Sequence, residues 1–345
     1  MTPLQQVSEH VDPLIYISLA LLFGIAAQFK AMHGSSFLRR ILTTFENKFG
    51  ILYAVIIVTS LFSPLILNDV VILILTPVLI SYSKEFEVDI APLIVAEITF
   101  TNIASTLTPL GNPQNILLWQ ASGVSATDFV LGTWFPLLVS AIVSATVLYP
   151  LSKKMKNRSN DILNNTGSSI PPIYLLIVII TIFSSNLLGI PSVLALGISF
   201  MLGFIFTFRS LPSIQREFDL KSLFILYSLI ASITIIGVLI EPFVASYAFQ
   251  AASGAQPFSA LFIGALSNLI SNVPTTQLIL SLTNVSPHQA PNIAVEAGLA
   301  GNIGPIGSFA NLLALLLLRR AGFEIRKAIL LQLVIGSISF LPAFI

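Results

Sequence analysis

Long apolar segments alternate with short polar ones along the whole chain, and the apolar segments are of two kinds. The first kind is uninterrupted and about 20 residues long, the length of a helix that spans a bilayer. Six segments have this form: residues 13–30, 127–151, 171–189, 191–208, 222–240 and 328–345. The second kind is interrupted by Gly, Pro or Asn, and it comprises residues 50–82, 89–122, 258–283 and 289–318. The pattern predicts an all-α polytopic membrane protein of about 8 spans.

Polar residues recur in two short patterns, each present once in either half of the chain. Residues 63–68 read Ser-Pro-Leu-Ile-Leu-Asn, and residues 267–272 read Ser-Asn-Leu-Ile-Ser-Asn. The second pattern, Pro-x-Gly-x-x-x-Asn, occupies residues 109–115 and 305–311. Polar interruptions at matching positions of two halves are typical of the substrate site of a secondary transporter.

Composition supports the membrane assignment and excludes several kinds of site. The 345 residues are 55% hydrophobic and only 9% charged, whereas a soluble protein carries about 25% charged residues. A net charge of +1 gives no basis for a nucleic-acid partner, so the expected surroundings are the lipid bilayer. The chain has no cysteine, which excludes disulfides and thiolate metal sites. The first twelve residues are polar and lack a basic region, so no cleavable signal peptide is expected.

The basic residues predict the topology. We expect residues 50–82 and 258–283 to be re-entrant helical hairpins, and residues 89–122 and 289–318 to be discontinuous helices that each cross once. All 16 Lys and Arg residues then lie on one side, which the positive-inside rule makes cytoplasmic, in a plasma membrane with both termini external. A pair of short spans in place of each hairpin would preserve the same sidedness. Apart from Lys30, these basic residues belong to residues 31–49, 83–88, 152–170, 209–221 and 319–327, called here the basic segments.

This topology divides the chain into two inverted repeats. Residues 1–152 form the first repeat and residues 209–345 the second, and each contains one hairpin followed by one discontinuous helix. Between them, residues 153–170 are predicted to be a polar cytoplasmic linker. Residues 171–208 are predicted to form an extra transmembrane pair without a counterpart in the first repeat.

An amphipathic helix is predicted before each hairpin. Residues 37–45 place their apolar side chains on one face, with Arg39, Arg40 and Glu46 on the other. Residues 243–251 have the same apolar spacing. Helices of this kind lie in the membrane interface.

Each interruption is expected to begin a new helix within the membrane. Local start signals place these helices near Val70, at Pro113, near Pro274 and at Pro305. Non-helical backbone at membrane depth must line a protein-walled cavity. Four helix N-termini suit an anion, and the freed carbonyl groups suit a small cation. The alternative is that Gly, Pro and Asn only kink ordinary spans, which the symmetric pairing of the interruptions disfavours.

Two carboxylates are candidates for ion coupling. Asp69 lies between two apolar arms and can carry a proton or ligate sodium, with a helix-capping role as the alternative. Its counterpart in the second half is Val273. Glu97 is the second candidate, whereas Glu241 and Glu296 are predicted to lie at helix ends in the interface. Either an anion is bound together with a proton or sodium on Asp69, or the exchanged species is a cation or a neutral oxyacid.

Four motifs resemble one known group of transporters. Residues 68–77 are similar to the first hairpin of arsenite permeases, and residues 106–115 to the discontinuous helix of the ion transporter superfamily. Residues 271–275 and 301–308 resemble the second hairpin and second discontinuous helix. This superfamily includes arsenite permeases, citrate–metal transporters, sodium–dicarboxylate symporters and sodium/proton antiporters of the same fold.

The resemblance implies an elevator-type secondary transporter that forms a homodimer. The hairpin tips read Leu67-Asn68-Asp69 and Ser271-Asn272-Val273, not the Ser-Asn-Thr of the dicarboxylate branch, which favours the arsenite-permease-like side. Sodium is implied at Asn68, Asp69 and Gly111, with sodium or a proton as the coupling ion and no other cofactor. The substrate residues implied by motif match are Asn68, Thr108, Gly111, Asn112, Ser271, Asn272, Thr275, Asn302 and Gly307.

The predicted function is secondary active transport of a small anion or oxyanion, coupled to a proton or sodium gradient. Sodium/proton antiport by the same fold is the alternative. An intramembrane enzyme would need a nucleophile–base pair or a metal cluster, and the chain contains no His-Glu-x-x-His motif. A Gly-rich, Lys-containing ATP motif is also missing from the sequence, so pumping by this chain alone is not expected.

Overall fold

The computed structural model describes residues 13–65, 67–153, 155, 170–188, 190–208, 211–218, 220–252 and 256–345. Every regular element in this part of the chain is helical. Most of the predicted linker, and the first twelve residues, lie outside the described residues. The elements are α1 (Pro13–Ala31), α2 (Gly34–Phe49), α3 (Ile51–Phe62), α4 (Asn68–Phe86), α5 (Ile90–Ser105), α6 (Pro113–Ser122), α7 (Ala126–Ser152), α8 (Ile170–Leu187), α9 (Ser192–Thr207), α10 (Leu211–Glu217), α11 (Leu220–Ala252), α12 (Phe258–Ile270), α13 (Asn272–Leu282), α14 (Ala290–Ala300), α15 (Phe309–Arg320), α16 (Arg326–Phe340) and a final 3₁₀ turn, Leu341–Phe344.

The structure interrupts the helix at each of the four places where the sequence does. Residues 63–67 separate α3 from α4, and residues 106–112 separate α5 from α6. In the second half, Ser271 alone separates α12 from α13, while residues 301–308 separate α14 from α15. We call residues 106–112 the first break and residues 301–308 the second break.

The helix start predicted at Pro305 is wrong. The backbone N–H of Gly307 donates to the carbonyl oxygen of Gly304 (3.1 Å), which closes a turn with Pro305 inside it. Proline is as favourable at this turn position as at the start of a helix. Ser308 follows in extended backbone, and α15 begins only at Phe309.

The first amphipathic helix is present, but the prediction for Glu46 was wrong. Helix α2 bends by 77° from α1 and buries Leu38, Leu42 and Glu46 on one face. Glu46 follows Leu42 by four residues, so it shares the apolar face. There its carboxylate accepts a hydrogen bond from the hydroxyl of Tyr82 in α4.

The second amphipathic helix is not separate from the span before it. Residues 243–251 continue α11, which runs from Leu220 to Ala252 with Pro242 inside it. No Gly or Asn stands between the two stretches to end the first one, so the helix passes through the proline.

Large apolar side chains cover much of the outer surface. On α7, Leu131 is 63% exposed and Ile142 is 58% exposed, which places hydrocarbon where a soluble protein would present polar groups. Among the described helices, α7 and α16 with its final turn are long and apolar enough to cross a membrane, and the bent pair α1 and α2 is a third. The expectation of about 8 spans also counts the interrupted segments. Many described helices are short because each of those segments is divided into two helices.

Three of the basic segments meet at one end of the molecule. Arg39 of α2 forms an ion pair with Glu85 of α4 (2.6 Å). The ammonium of Lys84 donates to the carbonyl oxygen of Ala321 (3.0 Å), and Lys327 pairs with Asp89. A cavity of about 860 Å³ opens between residues 87–92, the end of α7 and the start of α16. It lies at this charged end and is not lined by either break.

Candidate functional site

The start of α4 is held against the first break by a backbone hydrogen bond. The N–H of Asn68 donates to the carbonyl oxygen of Gly111 (2.8 Å). Nearby, the hydroxyl of Thr108 donates to the carbonyl oxygen of Pro64 (2.6 Å). Two of the predicted substrate residues, Asn68 and Gly111, are therefore in direct contact, and Thr108 fixes the turn beside them.

The second half makes the same backbone contact. The N–H of Asn272 donates to the carbonyl oxygen of Gly307 (3.0 Å). Ser271 stands before it with φ 72° and ψ 157°, a region that is essentially restricted to glycine and costs about 1–3 kcal/mol for other residues. Strain of this kind collects at functional sites, and here it falls on a predicted substrate residue.

The asparagine of each Pro-x-Gly-x-x-x-Asn pattern reaches back to its break. The side-chain amide of Asn115 donates to the carbonyl oxygens of Ser105, Thr106 and Thr108, at 3.2, 3.2 and 2.7 Å. Asn311 does the same for two carbonyl oxygens of the second break. Each asparagine thus adds a donor to carbonyl groups of the interrupted segment, and those of Ser105, Thr106 and Gly301 have no other partner within the described residues.

We expect Asn115→Leu to loosen the first break. The leucine fills a similar volume but leaves the buried carbonyl groups of Ser105 and Thr106 without a donor among the described residues, at a cost of about 1–3 kcal/mol. The measurement is the apparent melting temperature in detergent. The control is Asn284→Leu at an exposed asparagine. Equal melting temperatures for the two variants would contradict this role for Asn115.

Asn102 joins the two breaks, and the sequence analysis missed it. It lies three residues before Ser105 in the last turn of α5 and is 1% exposed. Its amide nitrogen donates to the side-chain oxygens of Asn302 (3.1 Å) and Asn311 (3.0 Å) in the second half. The available signal was an asparagine at the end of an otherwise apolar stretch, four residues before the first break begins.

The remaining predicted substrate residues have different surroundings. Asn112 caps α6, its side-chain oxygen accepting from the N–H of Asn115 (2.9 Å). Asn302 donates to the hydroxyl of Ser339 in α16 (3.1 Å). Thr275 is buried in α13, and its hydroxyl has no hydrogen-bond partner among the described residues.

Several buried oxygens around the breaks also have no partner within the described part of the chain. Such atoms are rare in folded proteins and commonly bind water, an ion or a ligand. Ser63 and Ser267 open the repeated six-residue pattern, and both hydroxyls are in this state. The others near the breaks are the side-chain oxygens of Asn102, Asn115, Thr275 and Gln332.

The two carboxylates predicted to couple ions occupy different positions. Asp69 is 4% exposed in the first turn of α4, next to the Asn68–Gly111 contact, and no described residue bonds its carboxylate. Glu97 is fully buried in α5 and accepts from the hydroxyl of Thr76 in α4 (2.9 Å). Glu97 is therefore held between two helices, away from the backbone contacts at the breaks.

The interfacial prediction for Glu296 was wrong. Glu296 is 1% exposed inside α14. Its carboxylate accepts from the hydroxyl of Ser259 (2.6 Å) and from the amide of Gln256. Glu296 lies in the interior of α14, not at its end. The packing of α14 against α12, α7 and α16 encloses it, although the sequence placed it near the surface.

Comparison with known protein families shows the family of the chain. A family model described as Citrate transporter matches residues 1–299. The chain belongs to this family. It is accordingly an integral membrane protein of a transporter family.

Individual relatives agree with this assignment. An uncharacterized transporter of Methanocaldococcus jannaschii is 27% identical over 308 residues, which cover 85% of this chain and 78% of the relative. The inner membrane protein YbiR of Escherichia coli is 34% identical over 92 residues, 27% of this chain and 25% of YbiR. The silicon efflux transporter LSI3 of Oryza sativa subsp. japonica is 37% identical over 78 residues, 23% of this chain and 16% of LSI3. The matched region thus spans a quarter or less of the last two proteins.

Proposed function

We propose that this member of the citrate transporter family is a secondary active transporter of a small anion or oxyanion, coupled to a proton or sodium gradient. The observation that carries the proposal is the matched pair of contacts, Asn68 with Gly111 and Asn272 with Gly307. In each half, the start of one helix is bonded to the non-helical break of another. Paired interruptions of this kind form the substrate and ion sites of secondary transporters.

The helix starts at the breaks favour an anionic substrate. Leu67, Ser271 and Ser308 precede α4, α13 and α15, and none of the three caps its helix with its side chain. The N–H groups of Asn68 and Asn272 are bonded to the breaks, and the other first-turn N–H groups of α4 also have acceptors. The first-turn N–H groups of Val273 in α13 and of Phe309 and Ala310 in α15 have no backbone acceptor among the described residues, so they can donate to the oxygens of a ligand. Helix N-termini also carry the positive end of the helix dipole, which attracts anions.

Asp69 is the proposed coupling residue. A carboxylate beside an anion repels it unless a proton or a sodium ion neutralises the charge, so the two must bind together. Sodium would use Asn68, Asp69 and Gly111, which lie together at the first break. Glu97 is proposed as a second coupling residue in the same half.

The proposed cycle is of the elevator type. The two halves would be inverted repeats, with residues 50–82 and 258–283 as re-entrant hairpins and the basic segments in the cytoplasm. We propose a plasma-membrane location with external termini, and a homodimer as the working unit.

The test is uptake into proteoliposomes that contain the purified protein. The panel consists of radiolabelled citrate, phosphate, sulfate and arsenite, each with an imposed proton or sodium gradient. We expect gradient-driven accumulation of at least one anion or oxyanion. Sodium uptake with counterflow of protons, and no anion uptake, would establish antiport instead, an alternative favoured by the buried carboxylates Asp69 and Glu97. No movement of any solute above protein-free vesicles would refute the proposed function.

We expect Asn272→Ala to weaken substrate binding. The side chain is 2% exposed at the start of α13, and losing one hydrogen bond of about 1.4 kcal/mol corresponds to about a tenfold rise in Kd. The measurement is tracer binding in detergent with the solute identified above, and Asn284→Ala at an exposed position is the control. Unchanged affinity in Asn272→Ala would place the substrate away from this residue.

A further inference from the structure

Glu296 is a buried carboxylate that accepts a hydrogen bond from the exposed Gln256. The same amide donates to the carbonyl oxygen of Ala343, at the end of α16 away from the basic segments. We propose that Glu296 binds a proton from external water and couples its protonation to the second break. This inference rests on the proposed function and on the proposed orientation, and it adds to the transporter a second titratable site, in the half that has Val273 where the first half has Asp69.

The carboxylate is buried but only one side chain away from water. Its Oε2 accepts from the hydroxyl of Ser259 (2.6 Å), and its Oε1 accepts from the amide nitrogen of Gln256. Gln256 is exposed, whereas Ser259 and Glu296 are buried. A proton arriving at the surface near Gln256 therefore has a short route to a carboxylate that bulk solvent does not otherwise reach.

Both hydrogen-bond donors are neutral, and no charged group within the described residues neutralises Glu296. The elements packed against α14 are α5, α6, α7, α12, α13, α16 and the final turn. Helices α6, α12 and α13 and the final turn contain no charged side chain. The titratable or charged groups of the other three are Glu97 in α5, Asp128 and Tyr149 in α7, and Arg326 and Lys327 in α16.

None of those groups is an ion partner of Glu296. Glu97 bonds to Thr76, Asp128 bonds to Ser125 at the exposed start of α7, and Lys327 pairs with Asp89. Arg326 starts α16 at the charged end of the molecule and lines the cavity there, and Tyr149 stacks under Lys153 near the end of α7. A carboxylate buried without an ion partner is free to exchange a proton as conditions change.

The position of Glu296 connects it to the second break. It stands five residues before Gly301, about 7.5 Å along the helix. Ser259 lies near the start of α12, and the far end of α12 leads directly into Ser271 and Asn272. The contact between Glu296 and Ser259 thus joins the start of α12 to α14. Beyond the far end of α12, the contact between Asn272 and Gly307 joins the start of α13 to the second break.

Protonation changes that contact without breaking any covalent bond. A proton from external water adds to one carboxylate oxygen, which removes the negative charge and turns Glu296 into a hydrogen-bond donor. The Ser259 hydroxyl can then rotate and accept a hydrogen bond from the protonated carboxyl group, since a serine hydroxyl both donates and accepts. The direction of the bond between α12 and α14 then reports whether the proton is bound.

The test combines infrared difference spectroscopy with uptake at varied external pH. We expect a pH-dependent carboxyl band in the wild-type protein that Glu296→Gln lacks and Asp128→Asn retains, because Asp128 is an exposed carboxylate on the same predicted side. In uptake, Glu296→Gln should lose the dependence on external pH and fall at least about tenfold under a proton gradient, within the usual range of coupling between sites. Glu296→Asp, which keeps a titratable group, should retain a pH dependence with a displaced midpoint.

The outcomes separate this inference from the proposed function. If the carboxyl band of Glu296→Gln matches that of the wild type, Glu296 does not bind a proton and the inference is overturned. If its uptake profile matches the wild type, Glu296 is not coupled to transport and the inference is likewise overturned. If the wild type carries no solute but the band still depends on Glu296, the proposed function fails and the proton site stands.

Discussion

Asp69→Asn is expected to abolish gradient-driven uptake while solute exchange at equal concentrations continues. The carboxylate is buried beside the Asn68–Gly111 contact, and asparagine keeps its shape but neither binds a proton nor supplies a full charge to sodium. Coupling between two bound species is typically about 1–3 kcal/mol, or about 5- to 150-fold in affinity. We therefore expect at least about a tenfold loss of accumulation.

The measurement is uptake into proteoliposomes under an imposed proton or sodium gradient, with exchange measured in the same preparation. Asp128→Asn is the matched control, because it makes the same chemical change at an exposed carboxylate. Asp128→Asn should accumulate solute like the wild type. Full accumulation by Asp69→Asn would move the coupling site to another group, with Glu97→Gln as the next variant to measure.

The breaks could be located from the sequence because their signals are local. Gly, Pro and Asn interrupt a helix through their own backbone preferences, whatever surrounds them. The prediction that Asn112 begins a helix at Pro113 is confirmed, since both the cap and the first-turn proline are local features. The same reasoning failed at Pro305, because proline is favourable both inside a turn and at the start of a helix. In the structure Pro305 lies inside a turn.

The partners of buried polar side chains could not be predicted in this way. Glu46, Asn102 and Glu296 are each enclosed by helices distant in sequence, and the partners of Asn102 lie 200 and 209 residues away. A single sequence does not show which of its distant helices pack against each other in space. Glu46 was within reach of helical periodicity, because it follows the buried Leu42 by one turn. Asn102 and Glu296 required the packing itself.

Gly111→Ala is expected to disrupt the first break more than any other single methyl group. A β-carbon built on Gly111 would lie 1.9 Å from the carbonyl oxygen of Ser105 and 2.6 Å from its carbonyl carbon. Both atoms are backbone, so no side-chain rotation relieves the overlap. The break would have to open, and the bond from Asn68 to Gly111 would be lost with it. We expect a cost of about 3 kcal/mol and no measurable uptake.

Gly197→Ala is the matched control for the added methyl group. Gly197 lies in α9, and a β-carbon there has no atom within 4 Å. Alanine in a helix is about 0.5–1 kcal/mol more favourable than glycine, so this variant should melt at or slightly above the wild-type temperature and transport normally. Gly111→Ala should melt well below both. If it instead melts with Gly197→Ala and transports at the wild-type rate, the first break is not packed on Ser105. The contact between α4 and the break would then no longer support a substrate site there.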